Sequence, residues 1–325
     1  MDKSYLITGI TGFAGPHLAN LLISQGHKVY GLIRCSNGRE QDIRDIVPDS
    51  NFAKIKFIYG DFTRPEDMNN IFKENKFDGV FHLGAQSHPP TSFKDPTGTF
   101  EDNALGTIYL ADAIAKYSPE TRLMFCSTSE VYGKVEGSTR EDFPLNPINP
   151  YGVSKAAADL YIRERAKSEG LKFFVTRAFS HTGPRRGQQF SISSDAYQII
   201  RIAKGFQTPN IMVGKLESKR TIVDVRDCVA AYAELMNDKF VPGEAYNVGG
   251  DEIYSIGEVL NMMLELKGMN GKVTLVPDEK LIRRIGFGIQ IPDSTKCRQA
   301  TGWSPKIKVI DTLKDLLDYW DKKIQ

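Results

Sequence analysis

The sequence predicts an α/β fold: a doubly wound parallel sheet with a smaller C-terminal substrate-binding lobe. Three observations predict it. Short apolar runs alternate with helix-period segments over the first 178 residues, a glycine cluster separates the first run from the first helix, and the alternation weakens after Arg177. A chain of 325 residues also exceeds one minimal domain and suits a large α/β unit with an appended part.

Residues 4–8 are an apolar run, 9–15 are glycine-rich, and 16–24 carry Leu18, Leu21 and Leu22 at helical spacing, so strand, loop and helix follow in order. The same order continues with strands at 28–33, 54–59, 79–83, 122–127 and 173–177, and with helices at 66–74, 104–116 and 154–169. Strands that are apolar on both faces belong to a parallel sheet covered on both sides. Residues 1–178 therefore read as the dinucleotide-binding domain and 179–325 as the substrate-binding lobe. The segment 179–220, rich in Gly, Gln, Ser and Arg, reads as substrate-facing. The runs 221–225 and 245–248 are expected to return to the main sheet as strands, so the two parts interleave.

Composition excludes several classes of function. Hydrophobic residues make up 41% and charged residues 25%, values of an ordinary globular chain. Net charge is +2 and the basic residues lie in short clusters, which gives no nucleic-acid footprint. Cys35, Cys126, Cys228 and Cys297 are far apart, and His17, His27, His82, His88 and His181 lack ligand spacing, so neither a disulfide framework nor a metal site is expected. No secretion signal and no run of about 20 apolar residues is visible, so no membrane contact and a cytoplasmic location are expected.

Gly9, Thr11, Gly12, Phe13 and Gly15 belong to a G-x-x-G-x-x-G loop between a strand and a helix. Bare backbone N–H groups and a helix N-terminus there can hold a pyrophosphate, which makes the fold Rossmann-type. The second strand ends in Arg34 rather than in the acidic residue that bonds a ribose 2′-hydroxyl, with Arg39 nearby. That favours NADP over NAD, against the plainer reading of Arg34 as a solvated surface residue. Asp61 and Phe62 follow the third strand and can flank the adenine. Leu83 and Ala85 bracket Gly84, where the backbone of the fourth strand can approach the coenzyme.

Tyr151 and Lys155 lie at i and i+4 of a helix that begins after Pro150, so their side chains share a face. An ammonium near a phenol favours the phenolate and makes the tyrosine an acid/base near neutral pH. An isolated Y-x-x-x-K pattern is more often a half-buried tyrosine and a solvated lysine. Here the preceding strand ends in Ser127-Thr128-Ser129-Glu130-Val131-Tyr132-Gly133, at the carboxyl edge where such sheets carry chemistry.

The glycine loop, this strand end, Pro150-Tyr151-Gly152-Val153-Ser154-Lys155 and Asp224-Val225-Arg226-Asp227 together resemble the extended short-chain dehydrogenase/reductase family. Within it, the segments 82–88, 127–134 and 181–187 are most similar to the GDP-mannose 4,6-dehydratases. The resemblance implies that Tyr151 takes the proton of a sugar 4-hydroxyl, that Lys155 holds the nicotinamide ribose and tunes Tyr151, and that Thr128 bonds the 4-oxygen. It makes Glu130 the base at C5 and the acid for the departing C6 hydroxyl. It adds Gln86, His181 and Arg186 to the coenzyme site. It assigns Ser87, Thr128, Ser129, Ser180, Phe190, Gly214, Arg220 and Arg283 to the substrate, a nucleotide-sugar of the GDP-hexose type.

The sequence departs from the dehydratase pattern at two places. Ser180 stands where the pattern has asparagine, and Arg283-Arg284-Ile285-Gly286 stands where it has Arg-Pro-x-Glu. The loop 35–52 is also shorter than in tetrameric dehydratases, which predicts a homodimer built on the helices that contain Ala104 and Ser154. Two alternatives stay open: a nucleotide-sugar 4-reductase or 4-dehydrogenase, which Asp224-Val225-Arg226-Asp227 resembles more, and a non-catalytic NADP-binding sensor.

Overall fold

The computed structural model describes residues 2–34, 38–281 and 288–325. Its main sheet contains Ser4–Thr8 (β1), Lys28–Ile33 (β2), Ile55–Tyr59 (β3), Gly79–His82 (β4), Arg122–Thr128 (β5), Phe173–Ala178 (β6) and Ala245–Val248 (β7). They are parallel, in the order β7-β6-β5-β4-β1-β2-β3.

Side chains alternate along each strand, and both faces are apolar. Tyr5 and Ile7 of β1 enter one core while Leu6 enters the other, and Phe174 of β6 divides from Phe173 and Val175 in the same way. Ala14–Ser24 (α1) covers the first face. Pro65–Glu74 (α2), Gly106–Tyr117 (α3) and Pro150–Glu169 (α4) cover the second. Fully burying one such leucine or phenylalanine contributes about 2 kcal/mol, so the two faces supply most of the driving force.

The second lobe packs Ser191–Ala203 (α5), Ile256–Leu266 (α7) and Val309–Lys323 (α8) around Ile199, Leu260 and Leu313. Between α5 and α7 in sequence, Val225–Met236 (α6) crosses back and packs on α1 against the main sheet. Outside the main sheet, His181–Thr182 pairs with Val223–Asp224, and Gly137–Thr139 pairs with Gln290–Pro292, the latter joining the first part of the chain to its C-terminal part.

Residues 245–248 return to the main sheet as its edge strand β7. The expectation for 221–225 is corrected. Thr221 ends a strand paired with Ile253–Ser255, Val223–Asp224 pairs with His181–Thr182, and Val225 opens α6. The reason is local: Asp224 Oδ1 accepts the N–H of Arg226 at 2.7 Å, so an N-cap starts a helix where a longer strand was expected. The helix expected from 104 begins at Gly106 and follows a π-helical turn at Glu101–Leu105.

Candidate active site

The chain reverses its winding between β1 and β4, and the loops after these two strands meet at the carboxyl edge of the sheet. Gly9 takes φ +69°, and a Cβ there would lie 2.8 Å from the backbone nitrogen of Gly84, so only glycine lets the loops touch. At Gly15 a Cβ would stand 2.5 Å from the carbonyl oxygen of Gly9, which fixes how closely α1 approaches its strand.

Arg185, itself left-handed at φ +73°, grips this loop from outside. Its guanidinium donates to the carbonyl oxygens of Thr11 at 2.6 Å, Gly12 at 3.1 Å and Asp42 at 3.0 Å. In a planar trans peptide the N–H points away from its carbonyl, so the Phe13 N–H is turned to the opposite side. The first turn of α1 has no side-chain cap and no acidic residue. An uncapped helix N-terminus behind a glycine loop fits the pyrophosphate of a dinucleotide.

Beneath the loops runs a buried hydrogen-bond chain. Gly84 N–H donates to Thr8 Oγ1 at 3.0 Å, Thr8 Oγ1 donates to His82 Nδ1 at 2.7 Å, and His82 Nε2 donates to Thr107 Oγ1 at 3.0 Å. The directions follow because Thr107 gives its proton to the Asn103 carbonyl at 2.6 Å. Burial first, and the Lys155 charge second, lower the His82 pKa to about 3 and keep the imidazole neutral. Asn103 clamps Gln86 through both backbone groups, at 2.8 and 2.9 Å, and reaches Ser154 Oγ at 3.0 Å; Ser154 Oγ in turn donates to the Tyr151 carbonyl at 2.8 Å.

Asn149 caps α4, accepting the Gly152 N–H at 2.6 Å, and donates to Glu130 Oε2 at 2.8 Å. One side chain therefore fixes both the start of the helix and the carboxylate. Tyr151 and Thr128 are hydrogen-bonded through their side chains, and the charge of Glu130 acts on the phenol. Lys155 is 2% exposed and places its ammonium 4.1 Å from the centroid of the Phe125 ring.

The expected lowering of the Tyr151 pKa is corrected. Burial raises it strongly and Glu130 adds to the rise, while Thr128 and Arg186 oppose it. Burial also brings Lys155 down to about 8. The desolvation of a nearly closed pocket outweighs the attraction expected from helical spacing.

Phe13, His181, Arg186 and Phe190 come together across the mouth. The Phe13 and His181 rings stack at 5.7 Å, and the Arg186 guanidinium lies 3.5 Å from the Phe190 centroid and 4.8 Å from that of Phe13. Burial lowers the Arg186 pKa to about 10, and Arg186 is coupled electrostatically to Tyr151.

At the end of β2, Arg34 pairs with Asp102 at 2.8 Å and Asp61 at 3.3 Å and stands 5.4 Å from the Phe62 centroid. Leu83 and Ala85 flank Gly84. The Gln86 side chain serves its own loop, donating to Thr99 Oγ1 at 3.0 Å and accepting from the His88 N–H at 2.6 Å. Ser87 is exposed at the same edge.

Ser129 accepts a bond from Gln290 through its carbonyl at 3.3 Å, and the Ser180 carbonyl accepts the Val223 N–H at 3.1 Å. Gly214 abuts Leu281, where a Cβ would meet the Leu281 carbonyl oxygen at 2.9 Å, and Arg220 lies on a strand paired through Tyr254. Both belong to the second lobe. Arg283 lies outside the described residues.

Sequence reasoning missed Asn103, Asn149, Arg185 and Asp102. Asn149 carried a signal, an N-cap residue directly before a helix-opening proline. The others act across the fold and carry no local pattern. The Ser127 and Thr182 hydroxyls are buried without a hydrogen-bond partner among the described residues, which suits a site where a ligand supplies the missing partners. Among the described residues no cluster of His, Cys, Asp or Glu could hold a metal ion, and no helix is long and apolar enough to cross a membrane.

Comparison with known proteins gives a family match across nearly the whole chain. The family profile described as GDP-mannose 4,6 dehydratase matches residues 6–316. GDP-6-deoxy-D-mannose reductase of Pseudomonas aeruginosa is 28% identical, over 100% of this chain and 99% of the relative. GDP-mannose 4,6 dehydratase 1 of Arabidopsis thaliana is 30% identical, over 97% of this chain and 89% of the relative. The structure of RMD from Pseudomonas aeruginosa complexed with NADPH superimposes with a TM-score of 0.81 at 27% identity, covering 99% of this chain and 100% of that one.

Proposed function

The chain belongs to the GDP-mannose 4,6-dehydratase family of extended short-chain dehydrogenase/reductases, and from that premise we propose that it is a nucleotide-sugar 4,6-dehydratase acting on GDP-mannose or a related GDP-hexose. The observation that carries the reading is a carboxylate, Glu130, held at 2.8 Å by Asn149 beside the Tyr151–Thr128 pair.

A bound nicotinamide dinucleotide supplies the hydride acceptor and donor. The glycine loop and the N-terminus of α1 would hold its pyrophosphate, Lys155 would hold the nicotinamide ribose, and Arg34 would meet the adenosine ribose. NADP(H) is the coenzyme this assigns, in line with the NADPH complex of the structural relative. Thr128 holds the sugar 4-oxygen and Tyr151 accepts its proton as C4 becomes a ketone. The ketone acidifies C5–H. Glu130 removes that proton and then gives it to the C6 hydroxyl, which departs as water while the C5–C6 double bond forms. With the hydride that the coenzyme would take from C4 restored at C6 and a proton returned to C5, the product would be a 4-keto-6-deoxy sugar without net oxidation. Arg220 pairs with the diphosphate of the substrate.

A second reading, net 4-keto reduction or 4-hydroxyl oxidation, is favoured by the reductase relative, which aligns with the whole chain. One incubation separates the two. With GDP-mannose in deuterium oxide and no added coenzyme, the dehydratase yields a 4-keto-6-deoxy product carrying deuterium at C5. No such product without added coenzyme, together with stoichiometric coenzyme consumption and an intact C6 hydroxyl once NADP+ is supplied, would reject dehydration in favour of the oxidoreductase. We further assign the chain to a homodimer of the cytoplasm. The exposed Val153 and Leu160 on α4, together with Phe93 and Phe100, offer an apolar face for a second copy. The free thiols Cys126, Cys228 and Cys297 accord with a reducing compartment.

A further inference from the structure

We propose that Asp102 is a coenzyme-specificity residue: its carboxylate occupies an edge of Arg34 that a ribose 2′-phosphate needs, and it thereby lets the 2′-hydroxyl form of the dinucleotide compete. The inference rests on the reading of the glycine loop as a nicotinamide-dinucleotide site.

Arg34 stands where the second strand of such a fold meets the adenosine ribose. Its guanidinium is engaged from two sides, Nη2 by Asp102 Oδ1 at 2.8 Å and Nε by Asp61 Oδ2 at 3.3 Å. Asp61 is fixed in turn, because its Oδ1 accepts the Thr63 N–H at 2.9 Å and the Thr63 hydroxyl at 2.8 Å. The cluster holds two carboxylates for one guanidinium. Arg39, the other basic residue read from the sequence as near this ribose, is bonded to Asp42 at 2.9 Å.

These charges bear differently on the two coenzymes. A 2′-phosphate carries up to about two negative charges and seeks a bidentate guanidinium edge. Asp102 holds one such edge and repels the phosphate. A 2′-hydroxyl needs no cation, and it can donate its proton to a carboxylate, the role acidic residues play in NAD sites.

The backbone explains why Asp102 can do this. It lies on the π-helical turn Glu101–Leu105, next to Asn103. Asn103 clamps Gln86 while Asp102 reaches Arg34, so two consecutive residues serve two loops. Wide turns of this kind are often found at functional sites. Asp102 is the tractable half of the pair of acids. Asp61 also shapes its own loop through Thr63, whereas Asp102 is 31% exposed and its amide isostere fits the same space.

Calorimetric titration of the full chain with NADP+ and NAD+, and with 2′,5′-ADP and ADP as probes of the adenosine end, tests the assignment without turnover. The wild-type protein is expected to bind NADP+ more tightly than NAD+ by no more than about tenfold. Asp102→Asn is expected to raise that ratio by about tenfold, the scale of one like-charge contact removed at a protein surface. The change should appear in the fragments as well as in the dinucleotides. In an Arg34→Gln background, Asp102→Asn should move the ratio by less than it does with Arg34 present, because the freed guanidinium edge is gone and only the direct repulsion of the phosphate is relieved. An unchanged ratio in Asp102→Asn, or a shift toward NAD+, overturns the proposal by making Asp102 a neutral neighbour or a prop for the phosphate contact. An undiminished shift in the Arg34→Gln background also overturns it. Failure of the wild-type protein to bind either dinucleotide overturns the dinucleotide reading and this inference together, whereas binding without the shift overturns this inference alone.

Discussion

Tyr151 is a phenol buried to 9% exposure, its pKa pushed upward by that burial and by Glu130. A group in that state is a poor base until its surroundings change. Lys155, lowered to about 8 and resting on Phe125, is one helical turn away and is the cation available to change them. Tyr151→Phe removes the proton acceptor and leaves the ring packing intact. Turnover of GDP-mannose is expected to fall about a thousandfold, within the range of general acid–base catalysis, while calorimetric binding of NADP+ stays within about twofold, the scatter of a neutral substitution. Unchanged turnover would remove Tyr151 from its assigned role. Tyr151, Lys155, Thr128 and Glu130 were legible because their relation is local, a helical turn in one case and a strand end in the other. Asn103, Arg185 and Asp102 were not, because each works across 17 residues or more of chain, and nothing in the neighbouring residues marks such a bond.

At the scale of elements, the parallel strands were readable almost to the residue, because burial on both faces makes most of their positions apolar. The misreading of 221–225 shows where that signal fails. Thr221-Ile222-Val223 is β-branched and apolar like a core strand, but the cap of Asp224 on Arg226 ends the extended segment after two residues. Helix α4 poses the reverse problem. Its inner face holds Tyr151, Lys155 and Asp159, and the Asp159 carboxylate accepts two hydrogen bonds from the Arg177 guanidinium, each at 2.9 Å, in a fully buried ion pair. Its outer face leaves Val153 and Leu160 about half exposed, one above the other at i and i+7. Single exposed apolar residues are normal, but Phe93 and Phe100, also exposed, lie on short helices packed against α4. Light scattering is expected to give a dimer for the wild-type chain and a monomer for the double variant Val153→Glu, Leu160→Glu, with circular dichroism unchanged. A wild-type monomer, or a variant that still dimerises, would dismiss this face as the interface.

The whole molecule carries an imbalance of buried titratable groups that no motif announced, because burial is a property of the folded chain. Burial depresses His17 and His181 to about 4 and His82 to about 3. Burial raises Asp195 to about 7. The signs oppose one another. Each histidine is neutral when folded but binds a proton in the unfolded chain below about pH 6.5, so its contribution is lost as pH falls. Asp195 is protonated when folded but ionised in the unfolded chain above about pH 4, so its penalty is relieved as pH falls through 7. Between pH 6 and 5 the unfolded chain therefore holds nearly three protons on these histidines that the folded chain lacks, against about one that the folded chain holds on Asp195. At about 1.4 kcal/mol per proton and pH unit, the slope approaches about 3 kcal/mol per pH unit, and the loss from pH 6.5 to 4.5 is on the order of 4 kcal/mol. Glu141, also raised by burial, trims the loss near the acidic end of that window. Urea unfolding at pH 6.5, 5.5 and 4.5 measures it directly. Asp195→Asn should steepen the decline toward the three-proton value, because the group that opposes it through most of that window is gone. A stability that is flat or rises toward pH 4.5 in the wild-type chain would mean that the three imidazoles are not held neutral. The neutral His82 that links the glycine loop to α3 through Thr8 and Thr107 would then have to be abandoned as well.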